Sequence, residues 1–422
     1  MRTGITKHEF NGKLVIEDFF EEENVRCFYE DDYYSNELMK GQFEMSYLSA
    51  NFLNKYQNRD RTKFIFTDKN GQKLEGRITG FSIPTQYNER RDFLNFYADS
   101  YTQNLIYSNN TPVKIELKYH IPYLSIFNRN IISSYGLTDD YIFKFNSPKV
   151  ELNLNIGKII INDWVCTKKY NEPDSIFTKE MYLELEVSIN DYNEKVNILD
   201  YWWDRIEEII LGISFVINHR VGYMGFDAEF KDEKDKITEI IKYKSSEKRI
   251  GDDFLKEVSS DFKKYFSQNN LTVFLNSLID KINSIPDIKR ILYSYISIFE
   301  IPNLQPQFLS TYFLLEAISK MIIVPTKKMK SENLIKDAST KLGIDINTIN
   351  FAKSHVRLKK LNSELEWEIS EYRNYLTHFN NGLYDLDLIA NEQRKMIDLC
   401  RKLIFGYINP NFIEWKKPKK HF

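Results

Sequence analysis

Cysteine is nearly missing from this sequence. Cys27, Cys166 and Cys400 stand far apart in a chain of 422 residues, and three isolated thiols build neither a disulfide framework nor the paired spacing of a zinc site. Long hydrophobic runs are missing too. The longest, Ile209 to Ile217, falls well short of the roughly 20 residues that a membrane-crossing helix needs. The opening residues Met1-Arg-Thr-Gly-Ile-Thr-Lys-His lack the apolar core of an export signal, so a cytoplasmic location without membrane attachment is expected. Neither sign of charge dominates. With 58 Lys and Arg against 60 Asp and Glu, the formal net charge is −2, which argues against a nucleic-acid coat protein but permits a local basic groove. A phosphate-cradling Gly-rich loop, a His-Glu-x2-His pair and a nucleophile elbow are also absent.

What is present suits a globular protein. Hydrophobic residues make up 42% and charged residues 28%, the balance of a chain that folds rather than one that stays disordered. Phe (30) and Tyr (27) are abundant and supply large cores and stacking surfaces. A chain of this length is expected to form two or three domains.

The first part, residues 1–195, reads as a β-rich domain. Phe64-Ile-Phe-Thr and Lys73-Leu-Glu-Gly-Arg-Ile flank Asn70-Gly71, a strong hairpin signal because both turn residues tolerate positive φ. Apolar residues alternate at Val113-Ile115-Leu117, at Val150-Leu152-Leu154-Ile156 and at Met181-Leu183-Leu185-Val187-Ile189. That period predicts antiparallel strands in a sandwich or barrel-like arrangement. Near residue 197 the period changes: Trp202, Ile206, Ile209, Ile213 and Val216 recur at helical spacing. Residues 196–300 are therefore expected to form a helical connecting region, interrupted from Asp227 to Lys248 by a charged exposed helix or loop. Ile301-Pro302-Asn303-Leu304-Gln305-Pro306 marks a boundary. Beyond it, residues 301–422 predict helices at about 307–323, 331–342, 346–380 and 386–408, with Gly343 and Asn381-Gly382 as stops. The expected fold class is α+β.

The third of these helices ends in Arg373-Asn374-Tyr375-Leu376-Thr377-His378. Arg and His together suffice for RNA cleavage without a metal or other cofactor: an imidazole moves the protons and a guanidinium neutralises charge gathering on the phosphate. Leu361, Leu365, Ile369, Tyr372, Leu376 and Phe379 form an apolar stripe; His378 and Asn374 fall on the face opposite it, and Arg373 at its edge. Arg373 and His378 point about 140° apart on a straight helix, so two copies of the chain meeting across a twofold axis would be needed to complete a site. The bland reading stays open: His378 as a dipole partner in a last helical turn, and Arg373 paired with Glu368 or Glu371. Asp385 and Asp387 read as a helix start rather than a metal site.

Arg-Asn-x3-His near the end of a long helix in a C-terminal bundle resembles the HEPN ribonuclease signature. The string Leu365-Glu-Trp-Glu-Ile-Ser-Glu-Tyr-Arg-Asn-Tyr-Leu-Thr-His-Phe-Asn and the earlier helix Phe308-Leu-Ser-Thr-Tyr-Phe-Leu-Leu-Glu-Ala resemble the ApeA-like branch of that family. The resemblance implies an anti-phage protein whose C-terminal HEPN bundle cleaves RNA, with tRNA as target and the N-terminal region as sensor of a phage component. It implies catalytic roles for Arg373, His378 and Asn374, and for Glu316 on the first bundle helix, whose plainer reading is an i,i+4 pair with Lys320. Residues 326–422 hold 18 Lys and Arg against 12 Asp and Glu. Lys353, Arg357, Lys359 and Lys360 are the candidate RNA-backbone contacts, with Lys416-Lys417-Pro418-Lys419-Lys420 as a basic tail. The competing expectations are a non-catalytic HEPN bundle that binds RNA or protein, with the β-rich half as the effector, and a carbohydrate- or ligand-binding β-domain attached to a helical dimeriser.

Overall fold

The structure is a computed structural model, and it describes residues 6–17, 20–31, 39–45, 62–82, 92–121, 133–134, 143–144, 150–155, 157–163, 179–188, 195–222, 225–245, 268–324, 329–352, 368–378 and 386–411. The chain divides into two compact units, residues 1–206 with 221–258, and residues 207–220 with 259–422. This differs from the three-part expectation, because residues 196–300 are shared between the two units.

The first unit is an antiparallel β structure. Its leading strands are β1 (Thr6–Ile16), β2 (Phe20–Asp31), β3 (Met39–Met45), β4 (Thr62–Asp68), β5 (Lys73–Ser82) and β6 (Asp92–Ile106). They pair in the ring order β6-β3-β2-β1-β4-β5 and back to β6, which closes a barrel and removes the free edges of a sheet. Alternation puts Leu14, Ile16, Val25, Cys27, Phe43, Phe64, Phe66, Leu74, Ile78, Leu94 and Phe96 inside it, each no more than 2% exposed. Phe43 stacks on Phe96 at 4.3 Å and meets Phe64 edge-on at 5.7 Å. The Asn70-Gly71 turn joins β4 to β5 as expected; Gly71 has φ +82°, and the Asp68 carboxylate accepts from the amides of Asn70 and Gln72 at 2.8 Å each.

Six further strands extend the sheet from β6: β7 (Lys114–Ile121), β10 (Val150–Leu154), β11 (Gly157–Asp163), β12 (Lys179–Ser188), β13 (Gly225–Lys231) and β14 (Ile237–Ser245), in the order β6-β14-β13-β7-β12-β11-β10. The short β8 (Ser133–Ser134) and β9 (Phe143–Lys144) pair separately. The hairpin β13–β14 corrects the expectation of an exposed helix or loop over Asp227–Lys248. Phe226, Ala228 and Phe230 alternate with Asp227, Glu229 and Lys231 on β13. Ala228 and Phe230 are buried, while the charged residues meet an equally charged β7, where Lys231 reaches Glu116 at 2.6 Å.

The second unit is helical. Its elements are the later part of α1 (Lys195–Ile217), α2 (Gln268–Ser284), α3 (Asp287–Ile298), α4 (Leu304–Ile322), α5 (Ser331–Lys341), a 3-10 turn (Ile346–Thr348), α6 (Glu368–His378) and α7 (Leu386–Ile408). The stripe Ile206, Ile209, Ile213 and Val216 of α1 is buried as its spacing predicts. Gly343 follows α5 as expected, and α7 has the predicted bounds. The expected helix over 346–380 is described only as the 3-10 turn and α6; residues 353–367 and the Asn381-Gly382 stop lie outside the described residues. Helix α4 is central, touching α3, α5, α6 and most extensively α7. Such a position buries it on more than one side, and Phe308, Tyr312, Leu314, Leu315, Ile318 and Ile322 are each at most 4% exposed.

Candidate functional site

Three helices of the second unit bring polar side chains to one place. Helix α4 supplies Tyr312 and Glu316, one turn apart. The first turn of α5 supplies Ser331 and Glu332, and α6 supplies Ser370, Arg373 and Asn374, whose i, i+3, i+4 spacing puts them on one face. Ile369 and Tyr372, from the apolar stripe of α6, are no more than 1% exposed, and Tyr372 lies edge-on to Phe308 at 6.0 Å. That contact fixes the rotation of α6 and turns Arg373 toward α4.

The Arg373 guanidinium donates from Nη1 to Asn374 Oδ1 at 2.8 Å, and Nη2 stands 3.9 Å from Glu316 Oε1. Its Cζ lies 5.6 Å from the centre of the Tyr312 ring, a cation–π contact. Ser331 donates to the same Glu316 oxygen. Beside this group, Ser370 Oγ donates to Glu332 Oε1 at 2.7 Å and lies 3.3 Å from the Tyr312 hydroxyl. Glu316 and Glu332 are each 9% exposed, and carboxylates so withdrawn from water need hydrogen bonds and countercharge. Burial pushes the Tyr312 hydroxyl above its ordinary pKa; the nearby Glu316 carboxylate adds to the rise, while the Ser370 hydrogen bond opposes it.

Arg373 is not fully satisfied. Its Nε is buried with no hydrogen-bond partner, and 3.9 Å is a loose ion pair rather than a bidentate one. The side chain keeps 31% of its surface exposed. A guanidinium of this kind can take an additional anion without first breaking a tight pair.

The structure thus places Arg373, Asn374 and Glu316 together. Asn374, for which the resemblance implies a catalytic role, accepts from Arg373. Among the described side chains the carboxylate beside Arg373 is Glu316, which makes no ion pair with Lys320; the side chains of Glu368 and Glu371, the expected alternative partners, lie outside the described residues. His378 is the last residue of α6; its side chain lies outside the described residues. So do Lys353, Arg357, Lys359, Lys360 and the basic tail. The chain just before Lys353 is anchored, however: the fully buried Glu392 of α7 accepts from the Ala352 amide at 3.1 Å and from Lys395 at 2.6 Å, and Lys395 also donates to the Asn350 carbonyl.

Sequence reasoning missed Tyr312, Ser331, Glu332, Ser370 and Glu392. A carboxylate at Glu316 within the otherwise apolar run Phe313-Leu314-Leu315 to Ile318 is the signal that some partner must meet it, and the i,i+4 Tyr312 was the neighbour to test. No protein-family model, curated protein or solved structure matches the chain.

Proposed function

We propose that the chain is a HEPN-type endoribonuclease of anti-phage defence that cleaves RNA, with tRNA as its target, and is triggered through its N-terminal region by a phage component. The observation that carries this reading is the Arg373 guanidinium, held by Asn374 and loosely by Glu316 on the helix that ends at His378. In the mechanism, His378 takes the proton of a ribose 2′-hydroxyl or returns one to the departing 5′-oxygen. Arg373 binds the scissile phosphate through its remaining donors and stabilises the charge that builds there. Glu316 and Asn374 act as positioning residues for that guanidinium. Lys353, Arg357, Lys359 and Lys360 hold the RNA backbone, and the products carry 2′,3′-cyclic phosphate and 5′-hydroxyl ends. Two subunits share each site, so the active form is a homodimer.

The second reading, a non-catalytic bundle that binds RNA or protein, draws on the same geometry: Arg373 turned inward could serve only to neutralise Glu316. One experiment separates the two. The purified protein, alone and with its trigger, is incubated with total RNA in chelator beside His378→Ala and Arg373→Ala. Cleavage by the wild type and its loss in both variants is the expected result. Equal cleavage by all three, or none with the trigger present, removes the ribonuclease reading.

A further inference from the structure

The outer wall of the barrel carries a cavity of about 430 Å³, inside the size range of small-ligand sites. It lies where β6 changes partner. Along one edge, residues 92–98 of β6 pair with β3 and residues 100–106 pair with β14. On the other edge the register with β5 slips at the same point: Arg77 faces Ser100 whereas Ile78 faces Ala98, which leaves Asp99 without an opposite residue. A bulge of this kind bends its strand and re-aims the flanking side chains. Gly76, between Glu75 and Arg77, turns its side-chain position inward, where a Cβ would stand 2.5 Å from the Phe64 ring of the barrel core; the flanking Glu75 and Arg77 therefore face outward to the cavity.

The charges around the cavity are only partly matched by one another. Lys63 and Arg77 face each other directly across β4 and β5, and like charges so placed repel. Glu75 offsets Lys63 at 3.6 Å. The exposed Arg77 side chain has no hydrogen-bond or ion-pair partner among the described residues. An anion bound between the two cations would remove the repulsion. Glu17, Glu75 and the hydroxyls of Ser100 and Thr102 complete the polar lining, and Tyr243 contributes a ring. Carboxylates accept from ligand hydroxyls, and an aromatic ring covers the flat face of a sugar or base.

We propose that this cavity binds a phosphorylated sugar, free or as part of a nucleotide, with Lys63 and Arg77 at the phosphate and Glu17, Glu75 and Thr102 at the sugar hydroxyls. The site is independent of RNA cleavage, so the test runs equally on the wild type and on His378→Ala. The full chain is titrated calorimetrically with ribose 5-phosphate, adenosine and uridine monophosphates, ribose and inorganic phosphate. At least one phosphorylated sugar is expected to bind ten or more times more tightly than ribose or inorganic phosphate. Arg77→Glu and Lys63→Glu should each weaken it about tenfold or more while leaving the unfolding midpoint of the ligand-free protein in place. Tighter binding of the nucleotides than of ribose 5-phosphate identifies the nucleotide as the source; equal binding identifies the free sugar phosphate. Absence of binding by every phosphorylated probe, equal affinity for inorganic phosphate, or affinity unchanged in both variants overturns the proposal.

Discussion

A guanidinium with a buried, unpartnered Nε and a carboxylate at 3.9 Å is a cation only partly paid for by its surroundings. That distinguishes Arg373 from an ordinary structural arginine, whose planar fork is usually filled by paired oxygens. If its remaining donors are kept for a phosphate, Arg373→Ala lowers RNA cleavage at least about a hundredfold, and Arg373→Lys does little better because a point charge cannot replace the fork. Glu316→Gln keeps an acceptor for Ser331 but removes the countercharge, so cleavage should fall about tenfold with a changed kcat and a nearly constant KM. A gel-based cleavage assay beside thermal unfolding checks both. Loss of stability without an activity to lose would mark the pair as scaffolding. Arg373 and its neighbour Asn374 were legible in the sequence because one helix carries them at fixed spacing. Tyr312, Ser331, Glu332 and Ser370 were not, since their meeting depends on how α4, α5 and α6 pack. No spacing within one helix records that.

At the scale of elements, the alternating strands and the Asn70-Gly71 turn were readable because one face of each strand is apolar. The hairpin β13–β14 was hidden by its wet face. Asp227, Glu229 and Lys231 are neighbours of Lys114, Glu116 and Lys118 on β7, so the charge run has partners from another strand and mimics a solvated helix when read alone. Its turn rests on Asp232, which accepts from the side-chain amide of Asn110 at 2.8 Å and from the amides of Lys234 and Lys236 at 2.9 and 3.0 Å. The Asn110 hydrogen bond, followed by that from Lys236, holds the Asp232 carboxyl below its ordinary pKa of 3.8. A depressed carboxylate pKa contributes stability that is fully present above the unfolded value and lost as the pH falls through the folded one. Asp232→Ala should therefore lower the unfolding midpoint by several degrees at neutral pH. The difference from wild type should shrink steadily below pH 3.8, as followed by circular dichroism. A difference that is constant with pH would assign the effect to packing alone.

At the scale of the whole chain, the two units are not consecutive stretches of sequence. Residues 207–220 belong to the helical unit, where Phe215 meets Phe405 at 5.0 Å and Tyr295 at 4.9 Å, and Phe274 meets Phe405 at 5.1 Å. Cutting the chain near residue 300, where Pro302 and Pro306 suggest a boundary, would strip these rings from α7 and expose its core. The proposed triggering through the N-terminal region is thus tested in the full chain rather than by truncation. The same holds for subunit sharing. Arg373 and His378 diverge by about 140° on a straight helix, so a site built across a twofold axis takes its guanidinium from one subunit and its imidazole from the other. Two inactive proteins, Arg373→Ala and His378→Ala, then complement each other, because every mixed dimer holds one site with both groups intact. With random pairing, half of the dimers are mixed and each has one working site of two, so the mixture should recover about a quarter of the wild-type rate. Co-expression of the two variants, with cleavage measured on the purified mixture, reads this directly. A rate no higher than the sum of the separate variants rejects sharing and requires both groups to act from a single chain, through a bend in α6 that brings them to one side.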